Sequence, residues 1–177
     1  MNNIEGKLRD AIRDIPNFPK EGIVFKDITP IMMNPVLSNE VVDTLFDKYK
    51  GKGIDAVAGI ESRGFLFGYP LAMRLGVPFI LIRKKGKLPY DKISHAYDLE
   101  YGSATIEMHT DALKAGDRVL IHDDLLATGG SAEAAGILVE KSGATVYGFD
   151  FLVSLDFLEG EKKLTGFSDN ITNLVAY

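Results

Sequence analysis

The sequence predicts an α/β protein built on a central, mainly parallel sheet flanked by helices. Three observations predict it. Short apolar runs alternate with helix-length segments between residues 54 and 153, the order that a strand–helix–strand chain produces. The runs themselves, IDAVAGI at 54–60 and VPFILI at 77–82, are apolar throughout but for Asp55, rather than alternating, as parallel strands covered on both faces require. The chain of 177 residues, 46% hydrophobic and 25% charged, has the size and composition of one globular domain, and such a chain buries roughly 70% of its unfolded surface.

Each element has its own signal. Ile4, Leu8, Ile12 and Ile15 recur at helical spacing, so an amphipathic helix is expected up to Pro16. The following stretch, NFPKEGIVFKDITP, is punctuated by proline and glycine and reads as an ordered loop with one extended piece at 23–28. Asn34-Pro35 has the form of a helix cap followed by proline at the first helical position. Leu37, Val41, Leu45 and Tyr49 carry that helix to Gly51-Lys52-Gly53. The strand at 54–60 is followed by a helix at 64–75 that Gly76 ends, and then by the strand at 77–82. A third strand opens at 119–121, a helix covers 131–141, and a fourth strand covers 144–153. A helix at 156–164 and a last apolar strand at 171–176 complete the pattern. Between 82 and 105 the alternation stops: RKKGKLPYDKISHAYDLEYGS has no helical period, and only a short antiparallel pair, 97–101 with 105–108, is expected there. A loop of that length is uncommon and usually functional.

Composition narrows the chemistry. There is no cysteine, which excludes a disulfide framework, a thiol nucleophile and sulfur-ligated zinc. His95, His109 and His122 match no common metal-ligand spacing, and His122 reads most simply as a core histidine. A net charge of −5 disfavours a nucleic-acid footprint, so an anionic small substrate must be met by local positive groups or a metal ion. No apolar stretch approaches the ~20 residues of a membrane span. The N-terminal segment carries Glu5, Lys7, Arg9 and Asp10 where a secretory signal would have its apolar core, so the cytoplasm is the expected location.

The most informative segment is RVLIHDDLLATGGSA, residues 118–132. A buried strand runs into Asp123 and Asp124, then into Thr128-Gly129-Gly130, then into a helix that opens with Ser131. In open α/β sheets ligands bind outside the carboxyl ends of the strands, where this loop lies. Gly129 and Gly130 permit positive φ and close backbone approach. The N–H groups of a helix start favour an anion, and Thr128 and Ser131 add hydroxyls. Two adjacent carboxylates beside a phosphate cradle suit a phosphorylated sugar, whose hydroxyls the acids would accept; they also suit a metal ion. Neither a P-loop nor a dinucleotide fingerprint occurs in the sequence.

This run resembles the phosphoribosyl pyrophosphate signature of type I phosphoribosyltransferases. GIVFKDITP, ESRGFLFG and IRKKGKLP…YDLEYG are similar, in the same order, to segments of the adenine-specific branch of that family. The resemblance spans residues 22–132 and implies the type I phosphoribosyltransferase fold over residues 1–177. In that fold an N-terminal helix and base-binding hood occupy 1–34, and a flexible catalytic loop occupies 84–103. It implies transfer of a 5-phosphoribosyl group to N9 of adenine, giving AMP and pyrophosphate with Mg²⁺ as cofactor, by a homodimer. No metal ligand is directly assigned, the ion being held by substrate and water near Asp123 and Asp124.

By the same resemblance Ala127, Thr128, Gly129, Gly130 and Ser131 hold the 5-phosphate, and Asp123 and Asp124 hold the ribose hydroxyls. Asp124 or its neighbour also steadies charge at the anomeric carbon. Arg63 binds pyrophosphate. Arg83, Lys87 and the stretch behind them close over it. Glu100 is the general acid/base near adenine N7, and Tyr101 lines the same pocket. Val24, Phe25 and Lys26 receive adenine. Lys26 replaces a frequent arginine of the family, Tyr90 a frequent glycine, and His122 a usual apolar residue. Lys84, Lys85 and Lys92 read equally well as a solvated face. Two alternatives share the phosphate loop. One is a transferase for another base, which the FKDIT and LEYG segments oppose. The other is a phosphoribosyl-pyrophosphate-sensing regulator, for which the sequence shows no basic face.

Overall fold

The computed structural model describes residues 4–98 and 103–177, and the chain divides into two compact units, residues 1–48 and 49–177.

In the first unit, helix α1 (Ile4–Ala11) is shorter than its periodicity predicts. Arg13–Pro16 forms strand β1, paired antiparallel with β2 (Val24–Asp27), from Arg13 opposite Asp27 to Pro16 opposite Val24. Charge complementarity across the pair explains the difference: Arg13 lies 3.1 Å from Asp27 and Lys26 lies 2.6 Å from Asp14. The expected helical continuation, Ile15, is instead an exposed strand residue. Asp27 then accepts from the Thr29 N–H and hydroxyl, each at 2.9 Å, and starts an unexpected one-turn helix α2 (Thr29–Met32). Helix α3 (Pro35–Tyr49) begins as expected, with the Asn34 side chain accepting from the Leu37 N–H at 3.1 Å; its last residue, Tyr49, belongs to the second unit.

The second unit is a seven-stranded sheet. Its strands are β3 (Ala56–Ile60), β4 (Phe79–Lys84), β5 (Lys92–Asp98), β6 (Ser103–His109), β7 (Arg118–Leu126), β8 (Thr145–Ser154) and β9 (Ile171–Ala176), in the spatial order β5-β6-β4-β3-β7-β8-β9. The five strands β4 to β9 in that order run parallel; β6 is antiparallel to β4, and β5 to β6. Every residue of β3 is buried, as a strand covered on both faces must be. Helix α4 (Gly64–Leu75) ends at Gly76 in the left-handed region, φ 71°, and helix α5 (Gly130–Lys141) packs Ala134, Ala135, Leu138 and Val139 into the core with Ile121, Phe149 and Phe151.

Three expectations change here. The strand predicted at 77–82 starts two residues later, because the Val77 N–H is used to close α4 on Ala72 O (3.1 Å) and Pro78 has none. The long aperiodic loop is largely strand: β5 and β6 pair through seven positions, from Lys92 opposite His109 to Asp98 opposite Ser103. Its two-residue period is visible in Ile93, His95 and Tyr97, the half-buried alternates of KISHAY. The helix predicted at 156–164 is two 3₁₀ turns, Asp156–Leu158 and Gly160–Lys163, separated by Glu159 at φ 51°.

Candidate active site

Parallel strands β3 and β7 end side by side, and the loops that leave them face one cavity of about 380 Å³. Eight residues singled out in the sequence line it: Arg63, Asp123, Asp124, Ala127, Thr128, Gly129, Gly130 and Ser131. Asp123 and Asp124 lie within β7, which continues to Leu126, rather than at its end. The loop turns into α5 at Gly129, φ 78°; Gly130 is already helical, so only one of the two glycines uses the left-handed region. The first N–H groups of α5 have no acceptor within the helix, which gives this corner of the cavity its positive end. The Ser131 hydroxyl lies 3.1 Å from the Tyr97 hydroxyl of β5.

Two carboxylates side by side in this wall are under electrostatic pressure. Burial pushes the Asp123 carboxyl well above the usual carboxylate range, and the neighbouring Asp124 charge adds to the effect. Burial also pushes Asp124 up, against the opposing pull of the Arg63 guanidinium. Arg63 Nε stands 3.1 Å from Asp124 Oδ2 as an ion pair, and that buried oxygen accepts no hydrogen bond among the described residues. The Asp124 N–H donates to Asp123 Oδ1 at 2.9 Å. Glycine is required where α4 begins: a Cβ on Gly64 would stand 2.6 Å from His122 O and 3.1 Å from Asp123 Oδ1.

The loop after β3, Glu61-Ser62-Arg63-Gly64, is the stretch the resemblance gives to pyrophosphate with Arg63 as its cation, and it contributes a second side chain as well. Glu61, joined to Ser62 by a cis peptide, has a side chain only 6% exposed and lines the cavity. Its carboxylate accepts from Arg83 Nε at 3.2 Å and the Lys84 N–H at 2.9 Å, and it pairs with Lys87. Burial alone would raise its carboxyl; the Lys87 ammonium and the Lys84 N–H outweigh that and hold it below the usual range. The Arg83 guanidinium also donates to Lys87 O at 3.2 Å. Arg83 and Lys87 are therefore tethered at the rim through Glu61, whereas Lys84, which read equally well as solvated, lines the cavity. Tyr97 and Glu61 are polar lining groups to which sequence reasoning assigns no separate role. Tyr97 opens the expected strand 97–101, where nothing local ties it to Ser131. Glu61 stands in the quoted ESRGFLFG segment, two residues before Arg63.

Glu100 and Tyr101 lie outside the described residues. Val24, Phe25 and Lys26 lie on β2 in the first unit, where Phe25 meets Phe18 edge-on (ring centroids 5.2 Å apart) and Lys26 pairs with Asp14. His122 is the core histidine expected: fully buried, its Nδ1 lies 2.7 Å from Asp150 Oδ2. Asp150 Oδ1 accepts from the Tyr49 hydroxyl at 2.8 Å and from Thr172 at 3.0 Å, while His122 Nε2 has no hydrogen-bond partner among the described residues. No cluster of three or more metal-ligating side chains occurs among the described residues, and none of the described helices is long and apolar enough to cross a membrane.

The Phosphoribosyl transferase domain family matches residues 37–166. The adenine phosphoribosyltransferase of Cytophaga hutchinsonii is 49% identical over 98% of this chain and 96% of its own. The crystal structure of adenine phosphoribosyltransferase from Thermoanaerobacter pseudethanolicus superposes with a TM-score of 0.93 at 47% identity, covering 97% of this chain and 99% of that one. The Saccharomyces cerevisiae enzyme, solved with an imino-altritol bisphosphate and adenine, gives 0.91 at 43% identity over 98% and 99%. Fold, cavity and relatives agree, and the chain belongs to the phosphoribosyltransferase family, in its adenine phosphoribosyltransferase branch.

Proposed function

We propose that this protein transfers the 5-phosphoribosyl group of phosphoribosyl pyrophosphate to N9 of adenine, giving AMP and pyrophosphate in purine salvage. The observation that carries the reading is the wall formed by residues 123–131: adjacent carboxylates, Asp124 buried and Asp123 half-buried, a glycine turn and a helix N-terminus on one cavity. The near-full-length likeness to adenine-specific relatives supports the choice of base.

The chemistry follows from those groups. The 5-phosphate accepts from the first N–H groups of α5 and the hydroxyls of Thr128 and Ser131. The ribose 2- and 3-hydroxyls donate to Asp123 and Asp124, supplying hydrogen bonds that favour the ionised acids and offset their burial. The bond from the anomeric carbon to pyrophosphate breaks with its electron pair leaving on the pyrophosphate, and N9 supplies the pair for the new bond. Between these events positive charge builds on the sugar, and the Asp123–Asp124 pair is the anionic wall nearest to it. Arg63 meets the pyrophosphate; Arg83 and Lys87, already tethered beside Lys84, close over it and exclude water. Glu100 handles the proton at adenine N7, Tyr101 lines its pocket, and Val24, Phe25 and Lys26 receive the base.

Mg²⁺ fits this donor set. Two adjacent carboxylates, one with an oxygen lacking a hydrogen bond, suit an ion that keeps several waters and takes its other ligands from substrate phosphate. When bound, the ion neutralises charge on the departing pyrophosphate. The enzyme works as a cytoplasmic homodimer.

Pyrophosphate release, followed with Mg²⁺, phosphoribosyl pyrophosphate and each nucleobase in turn, tests the reading. Adenine should give the fastest release; equal or faster release with hypoxanthine or guanine would overturn the choice of base.

A further inference from the structure

The phosphate loop has a backbone partner. A Cβ built on Gly160 would stand 2.1 Å from Ala127 O, 2.9 Å from Gly129 N and 3.0 Å from Thr128 C. From the other side, a Cβ on Gly129 would stand 2.4 Å from Gly160 O. The two segments thus touch main chain to main chain, and each atom that would be struck is backbone, which cannot swing aside as a side chain can. Gly160 is buried, and its φ lies outside the left-handed region, so a side chain there is opposed by space alone.

The turn that carries Gly160 is itself anchored. The Leu155 N–H donates to Leu126 O and the Asp156 N–H to Tyr177 O, each at 2.9 Å, which ties the start of the turn to the end of β7 and to the chain terminus. At its far end Leu164 is fully buried, and Phe167 lies within 3.1–3.2 Å of where a Cβ on Gly136 of α5 would be. A bracket fixed to β7 and facing α5 therefore presses Gly160 against residues 127–129.

We infer that Gly160 is a positioning residue for the 5-phosphate site: the 3₁₀ turn Gly160–Lys163 backs the phosphate loop and sets where its N–H donors stand. This rests on the assignment of residues 127–131 to the 5-phosphate. Gly160→Ala must displace the loop by a substantial fraction of an ångström, and misplacement on that scale costs up to about 10²-fold. The pyrophosphate-facing cations, Arg63 after β3 and Arg83 in β4, with the Glu61 carboxylate that tethers Arg83, lie on other segments and are left alone.

Titration calorimetry with ribose 5-phosphate and, separately, with pyrophosphate and Mg²⁺ tests it on the full chain. Gly160→Ala should bind ribose 5-phosphate about ten- to a hundredfold more weakly while pyrophosphate affinity changes less than about twofold. Equal loss for both ligands, or no loss for ribose 5-phosphate, would overturn the inference. A wild-type protein that binds no ribose 5-phosphate would overturn the loop assignment itself, a separate result. If the variant does not fold, hydrogen exchange on the wild type decides. Ribose 5-phosphate should slow exchange in residues 156–164 together with 125–132; slowing confined to 125–132 would overturn the inference.

Discussion

Asp123 and Asp124 are held in a wall that penalises their charge. For each, burial raises the folded-state pKa above the unfolded value. Protonation therefore favours the fold: the associated stability is complete below the unfolded carboxylate value, ~3.9, and is lost as pH rises through the folded values. Glu61 has the opposite sign. Its carboxyl is held low, so its contribution is present above the unfolded value and lost as pH falls. Asp123→Asn keeps an oxygen for the Asp124 N–H and removes one of the crowded charges. The ligand-free variant should be more stable at pH 7 by about 1 kcal/mol, a Tm rise of about 2–4 °C by calorimetry. The gain should shrink toward pH 4, and turnover should fall about 10²-fold or more. An unchanged or lower Tm at pH 7 would show that the pair is not strained. Residues 123–131 are legible in the sequence because they are contiguous: strand, acids, glycines and helix start follow one another. The Glu61–Arg83–Lys87 cluster is not, because it exists only through the parallel register that sets Ile60 beside Ile82 and so brings the next residues together.

Elements with a local signal at both ends are those the sequence locates best. Helix α3 is capped by Asn34 and opens with Pro35, and α4 is stopped by Gly76; both lie where their signals place them. Asn34→Ala removes the acceptor for the Leu37 N–H while leaving the helix core intact. It should cost about 0.5–2 kcal/mol, read as a lower denaturant midpoint with unchanged slope. A midpoint that does not move would mean that water replaces the cap without loss. Strand β1 shows what such signals miss. Ile15 extends the helical period of the preceding segment by accident, and the strand identity of these four exposed residues comes from β2, several residues further on, through ion pairs that only the fold brings together. The turn at Glu159 is similar: nothing local marks that residue for φ 51°, and the break in the helix follows from the packing of Gly160 on the phosphate loop.

At the scale of the whole molecule, a chain of net charge −5 also carries a row of exposed apolar side chains. Helix α4 buries Phe67, Leu71 and Ala72 and presents Leu66, Tyr69 and Met73 outward, 41, 54 and 65% exposed, at the i, i+3, i+7 spacing of one face. Tyr69 rests edge-on against Phe79 of β4, 5.7 Å between centroids, and Leu81 of the same strand is 40% exposed. An apolar row of this kind marks a contact surface, and a self-complementary contact between two copies is the commonest way to cover one. The homodimer proposed above supplies that second copy. In sedimentation velocity at micromolar concentration the wild-type protein should run as a dimer of the 19.4 kDa chain. Leu66→Lys combined with Met73→Glu places charge at both ends of the helical row without touching the buried face of α4, and should yield a folded monomer. A wild-type monomer, or a dimer that survives both substitutions, would mean that another surface is used and that this row is left to water.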